Sequence, residues 1–101
     1  MRPEIVVRPE AAGDAMQAAH WYEQRLGGLG GRFLAELDAI ITAISELPAR
    51  YPLHHGDIRR ARLKSFPYAA FYVVHESRII LLGVLHLQRD PRLIRRTLRQ
   101  R

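Results

Sequence analysis

Apolar and polar positions are ordered most clearly between Leu63 and Pro91, LKSFPYAAFYVVHESRIILLGVLHLQRDP, and this stretch predicts the centre of a sheet. Tyr68 to Val74 is aromatic and β-branched, and Ile79 to Leu85 is almost wholly aliphatic. The polar run His75-Glu76-Ser77-Arg78 between them reads as a hairpin loop joining two antiparallel strands. In the second strand both alternating sets are apolar: Ile79, Leu81 and Leu85 on one face, Ile80, Leu82 and Val84 on the other. Such a strand needs cover on both sides, at least in part, so helices are required elsewhere. Gly83 interrupts the run, and a glycine inside a strand marks a bulge or a close backbone approach.

The rest of the chain supplies that cover. Glu4 to Arg8 is a short strand, suited to a sheet edge and stopped by Pro9. From Glu10 to Leu26, Ala12, Ala15, Met16, Ala19, Tyr22 and Leu26 recur at spacings of three and four, tracing one helical face. Gly27-Gly28-Leu29-Gly30-Gly31 follows a helix rather than a strand and leads to no Lys-Ser or Lys-Thr pair, so it reads as a helix end and tight reversal, not a phosphate loop. A second helix is predicted from Arg32 to Leu47, with Phe33, Leu34, Leu37, Ile40, Ile41, Ile44 and Leu47 as its stripe and Pro48 as its stop. Ala49 to Asp57 reads as a loop. Ile58 to Ser65 alternates as a strand, with Arg60, Arg62 and Lys64 on one face and Ala61 and Leu63 on the other. Asp90-Pro91 opens a last short helix, basic enough to be frayed. The order is strand, helix, helix, three strands and a short helix: one α+β domain over residues 1–101, a small and mainly antiparallel sheet against an N-terminal helical hairpin.

Charge changes this picture. The net +6 divides into −2 over residues 1–50 and +8 over residues 51–101, so the sheet half is basic and a polyanionic partner is implied, nucleic acid or an acidic protein. There is no cysteine, which excludes a disulfide framework and a thiolate metal site and suits a reducing cytoplasm. The opening MRPEIVVRPE holds only a three-residue apolar run, so neither a signal peptide nor a membrane span is expected there.

His86, leaving its strand near Arg89 and expected beside the Arg60, Arg62, Lys64 face, is the best acid–base candidate, because its ordinary pKa suits proton transfer near neutrality. The alternative is that it caps the strand by bonding backbone. His54-His55 are adjacent in sequence and chelate one metal poorly; no metal or other cofactor is expected. Trp21 and Tyr22 on the first helix read either as a protein-contact patch or as core anchors.

The segments WYEQR, LGGRFLAEL, LPARYP, IRRARLKSFPYAAFYVV and GVLHLQRDP, in this order, resemble the RelE/ParE superfamily of type II toxin–antitoxin toxins over essentially the whole chain. The most specific pieces are Phe66-Pro67-Tyr68 with Tyr72, and the His86, Arg89, Asp90, Pro91 cluster. The resemblance implies a growth-inhibiting toxin with a co-encoded antitoxin, and a helical hairpin against a small antiparallel sheet. RelE-like members cut messenger RNA on the ribosome with several basic residues and a Tyr or His near the C-terminus. ParE-like members poison DNA gyrase without that set. This chain has one lysine, Lys64, and no Tyr or His after His86, which favours the ParE-like branch. The RelE-like endonuclease, with His86 catalytic, and a non-toxic basic nucleic-acid-binding module remain the alternatives. Arg60, Arg62, Lys64, Arg89, Trp21 and Tyr22 are the expected contacts to target or antitoxin.

Overall fold

The computed structural model describes residues 3–101. Its elements are β1 (Glu4–Val7), α1 (Pro9–Arg25), α2 (Leu29–Glu46), β2 (Leu53–His55), β3 (Ile58–Arg62), β4 (Tyr68–His75), β5 (Arg78–His86) and α3 (Pro91–Arg99), with a 3-10 turn at Pro48–Arg50. The strands form one sheet in the order β1-β5-β4-β3-β2. β1 is parallel to β5, and the remaining pairs are antiparallel. The α+β class and the β4–β5 hairpin are as the sequence implies. The sheet is mainly antiparallel as expected, with β1–β5 as its parallel pair, whereas the segment read as a loop contains β2. Pro52 and Gly56 closely flank that three-residue strand, so local composition hides a pairing made by β3.

The two sheet faces carry separate cores. Ala11, Ala15, Ala18 and Ala19 of α1 and Phe33, Leu37 and Ile44 of α2 bury against Ala61, Leu63, Ala70, Tyr72, Ile79, Leu81 and Val84. On the opposite face Ile94 and Leu98 of α3 cover Ile58, Ala69, Phe71, Leu82 and Leu85. Rather than fraying, α3 is capped by Asp90, whose side chain accepts from Arg92 N at 2.9 Å, and is seated by its two buried aliphatics.

The buried face of α1 is rotated from the expected one. Met16 is 60% and Leu26 63% exposed, and Ala12 is exposed, while Ala11 and Ala18 are buried. Alanine at 11, 12, 15, 18 and 19 makes the apolar periodicity nearly degenerate, and close packing settles it. A Cβ on Gly30 would stand 2.5 Å from Ala19 O, so α1 and α2 meet backbone to backbone where no side chain fits. This also places Gly30 inside α2, which begins three residues earlier than its apolar stripe suggests. Glu23 of α1 accepts from Gly28 N and Gly30 N, satisfying amides at the N-terminal end of α2.

Gly83 sits at a bulge. Phe71 pairs with Gly83 and Tyr72 with Leu81, so β5 carries one extra residue there. The bulge reverses the pleat: Ile79, Leu81 and Val84 face the helical hairpin, whereas Ile80, Leu82 and Leu85 face α3. Val84 and Leu85 therefore exchange the faces that simple alternation assigns them, and His86 turns with them.

Candidate functional site

The bulge aims the end of β5. Tyr68 pairs with His86 and packs against the core beneath the helical hairpin, and the two rings meet edge to face with centroids 5.0 Å apart. Arg60 lies opposite Phe71, whose side chain belongs to the α3 face. The expectation that His86 stands beside Arg60 is thus overturned by one inserted residue, because a single-residue shift moves every later side chain across the sheet. The basic trio also divides. Arg62 and Lys64, exposed where β3 ends, line a shallow cleft of about 200 Å³ with Glu36, Ala39 and Ile40 of α2.

What gathers around His86 is a different set. β1 pairs with β5 only as far as Leu81, whose carbonyl accepts from Arg8 N at 3.1 Å before the chain turns into α1. Among the described residues, no strand pairs with residues 82–86 of β5 on that side. Asp14 of α1 meets the start of this free edge, accepting from Val84 N at 3.0 Å, and Arg101 donates to Leu82 O at 3.1 Å. Arg101 also grips both Asp14 oxygens, at 2.5 and 3.1 Å, and the pair is largely buried, 15% and 14% exposed. The hydrogen bond to Asp14 holds the Arg101 pKa above its ordinary value, so the cation is permanent.

Beside this edge lies a groove of about 690 Å³ between α1 and the adjoining ends of β4 and β5. Its walls include Gln17, Ala18, Trp21 and Tyr22 from α1, Pro67 and Tyr68 from β4 and its approach, and His86 and Arg89 from the end of β5. Tyr22 anchors its floor, stacked on Phe33 at 5.6 Å and edge-on to Phe66 at 4.7 Å and Tyr68 at 6.1 Å. Trp21 is 49% exposed, with the Arg25 guanidinium 3.9 Å from its ring centroid. Tyr22 is thus packed against the core, whereas Trp21 lies on the surface.

Burial raises the pKa of Tyr22 and of Tyr68; Arg89 draws the Tyr68 value back down and Asp14 pushes it up. Both phenols therefore remain neutral hydrogen-bonding groups near neutrality. His86 Nδ1 accepts from Gln88 N at 3.0 Å, which leaves the proton of the neutral ring on Nε2. That backbone bond is the one read above as the alternative to catalysis. The groove therefore combines His86, Arg89, Trp21 and Tyr22, and leaves out Arg60, Arg62 and Lys64. Pro67 and Tyr68 were visible in the sequence as part of FPY, without a role. Asp14, a lone acid among alanines, was a signal that the helical periodicity passed over. Among the described residues no three His, Asp or Glu side chains come together to hold a metal, and no helix is long and apolar enough to cross a membrane.

A family model for the ParE toxin of type II toxin–antitoxin systems, parDE, matches residues 5–91. Among solved structures, a chain described as the chromosomal ParDE TA system from P. aeruginosa is similar in fold, with a TM-score of 0.77 at 14% identity over 86% of this chain and 98% of that one. No curated protein matches the sequence.

Proposed function

The chain belongs to the ParE toxin family of type II toxin–antitoxin systems, and from that premise we propose that it arrests growth by binding DNA gyrase in the cytoplasm and is neutralised by a co-encoded acidic antitoxin. The observation that carries a binding role is the groove beside β5. It offers an aromatic floor, an exposed tryptophan, a rim cation in Arg89 and a strand edge that pairs with no strand among the described residues. Those are the parts from which extended or helical segments of a partner are recognised: backbone pairing for affinity, and aromatic and arginine anchors for selectivity.

Cleavage of RNA draws less support from the same geometry. A phosphodiester needs an acid, a base and cations around one phosphorus. Here the His86 Nδ1 is engaged by Gln88 N, Arg89 is the exposed cation lining the groove, and Arg60 lies on the other face of the sheet. The purified chain should inhibit gyrase supercoiling while messenger RNA in translating ribosomes stays intact. His86→Ala should leave that inhibition within about threefold, whereas a nuclease using this histidine would lose roughly two to four orders of magnitude in rate. Codon-linked cleavage abolished by His86→Ala would replace the gyrase reading with the endonuclease one.

A further inference from the structure

The sheet separates two layers of opposite charge. From Pro9 to Glu46 the helical hairpin holds six acidic residues against Arg25 and Arg32, a net charge of −4, and it covers one face. Residues 91–101 hold five arginines and no acid, and α3 covers the other face. A polyanion is therefore repelled on one side of the molecule and attracted on the other, which orients its approach before any contact forms.

Within the basic layer the fold neutralises the cations at either end. Asp90 holds Arg92 at 3.1 Å, and Asp14 holds Arg101 in the largely buried pair beside β5. Arg96 and Arg99 are exposed, and among the described residues neither guanidinium has an ion pair or a hydrogen bond. They stand one turn apart with Arg92 one turn before them, so the three share a face over about 10 Å of helix axis. Like charges at these spacings repel. The stripe is nevertheless held rigidly, because Asp90 caps α3 and Ile94 and Leu98 are buried beneath it.

The same features narrow what meets this face. With Ile94 and Leu98 committed to the core, α3 has no apolar face left to enter a membrane. Its exposed side offers Leu93 and no aromatic residue, whereas a protein interface centres on desolvated aromatic or aliphatic anchors and is depleted of charge there. The lack of aromatics also removes the stacking that holds single-stranded nucleic acid. A duplex backbone asks only for cations at short intervals, since it carries one negative charge per about 1.7 Å of its axis.

We propose that the exposed face of α3, through Arg96 and Arg99, docks on the phosphate backbone of duplex DNA. Arginine suits that role because its planar guanidinium donates to two phosphate oxygens at once. The choice of DNA over duplex RNA rests on the gyrase reading above. Both arginines lie beyond residues 5–91, so the surface is not contained in the segment that the family model matches. Contacts confined to phosphate imply binding without sequence preference.

The test is fluorescence anisotropy of a short labelled DNA duplex titrated with the full chain, without gyrase, over a range of salt concentrations. Affinity should fall steeply as salt rises. Arg96→Gln combined with Arg99→Gln should weaken binding about tenfold or more at about 0.1 M salt, and should make the slope of log affinity against log salt shallower by about two. Arg8→Gln combined with Arg32→Gln removes the same charge from exposed positions outside α3 and should cost about threefold or less. All four side chains are exposed, so neither double variant threatens the fold. Equal losses in the two double variants, or an unchanged slope in the α3 variant, would overturn the proposal. So would tighter binding of the single strand, of duplex RNA or of poly-L-glutamate than of the DNA duplex. DNA binding that depends on Arg96 and Arg99 in a chain that leaves supercoiling untouched supports this surface and defeats the gyrase reading; gyrase inhibition without such binding defeats the surface alone.

Discussion

Tyr72 is wholly buried, yet its hydroxyl donates to Pro48 O at 2.6 Å, tying the centre of the sheet to the turn that follows α2. Burial pushes its pKa up to about 12, with Arg59 opposing the shift and Tyr51 adding to it. An ordinary tyrosine ionises near 10, so between these values the unfolded chain loses a proton that the folded one keeps. The stability tied to this group is complete below about pH 10 and is lost as pH rises through about 12. Tyr72→Phe should cost roughly 1–3 kcal/mol at neutral pH, since it strands the Pro48 carbonyl. Urea denaturation would measure that loss, and the variant should also show a shallower decline of stability over the alkaline window; an unchanged alkaline slope would refute the assignment. Gly83 teaches a second lesson about single residues. Its presence in an aliphatic strand announced a bulge, but not that the bulge would carry His86 from the arginine face to the helical one. That outcome depends on which side of Gly83 the register slips, and only the partner strand decides it.

The β4–β5 hairpin was legible because its strands are long, apolar and joined by four polar residues. Its turn is less well matched to its residues. Glu76 and Ser77 both have positive φ, 50° and 65°, as a two-residue turn with the twist of the flanking strands demands. Neither residue favours that conformation, which costs non-glycine residues about 1–2 kcal/mol each. Replacing Glu76-Ser77 with Asn-Gly should therefore raise stability by about 1 kcal/mol or more, measured as a shift in the denaturation midpoint at constant m-value. A neutral or negative shift would mean that the turn is held by something other than local backbone preference. The less legible elements are those whose partners are remote in sequence. β1 has four residues and pairs in parallel with a strand more than seventy positions away, β2 exists through its pairing with β3, and the facing side of α1 is set by contacts of Ala19 with Gly30 and Asp14 with Val84. Local pattern carries little of that information.

Charge is also divided across the whole molecule. The half containing the helical hairpin has net charge −2 and the half containing β2 to α3 has +8. An acidic partner is steered by this summed field, but the residues that hold it need not be those that attract it. Arg62 and Lys64 are exposed on their own cleft, while Arg89 borders the groove that the binding proposal uses. Charge reversal at Arg62 and Lys64 together should therefore slow antitoxin association about tenfold at low salt and leave dissociation nearly unchanged. Arg89→Glu should both slow association and hasten dissociation, and Trp21→Ala should act on dissociation alone. Surface plasmon resonance at about 0.05 M and about 0.5 M salt separates these effects, because the higher ionic strength shortens the screening length to a few ångströms and removes steering while leaving close contacts in place. If Arg62 and Lys64 govern dissociation and Trp21 and Arg89 do not, the antitoxin occupies the cleft beside α2, and the groove along the free edge of β5 is left for the toxin's target.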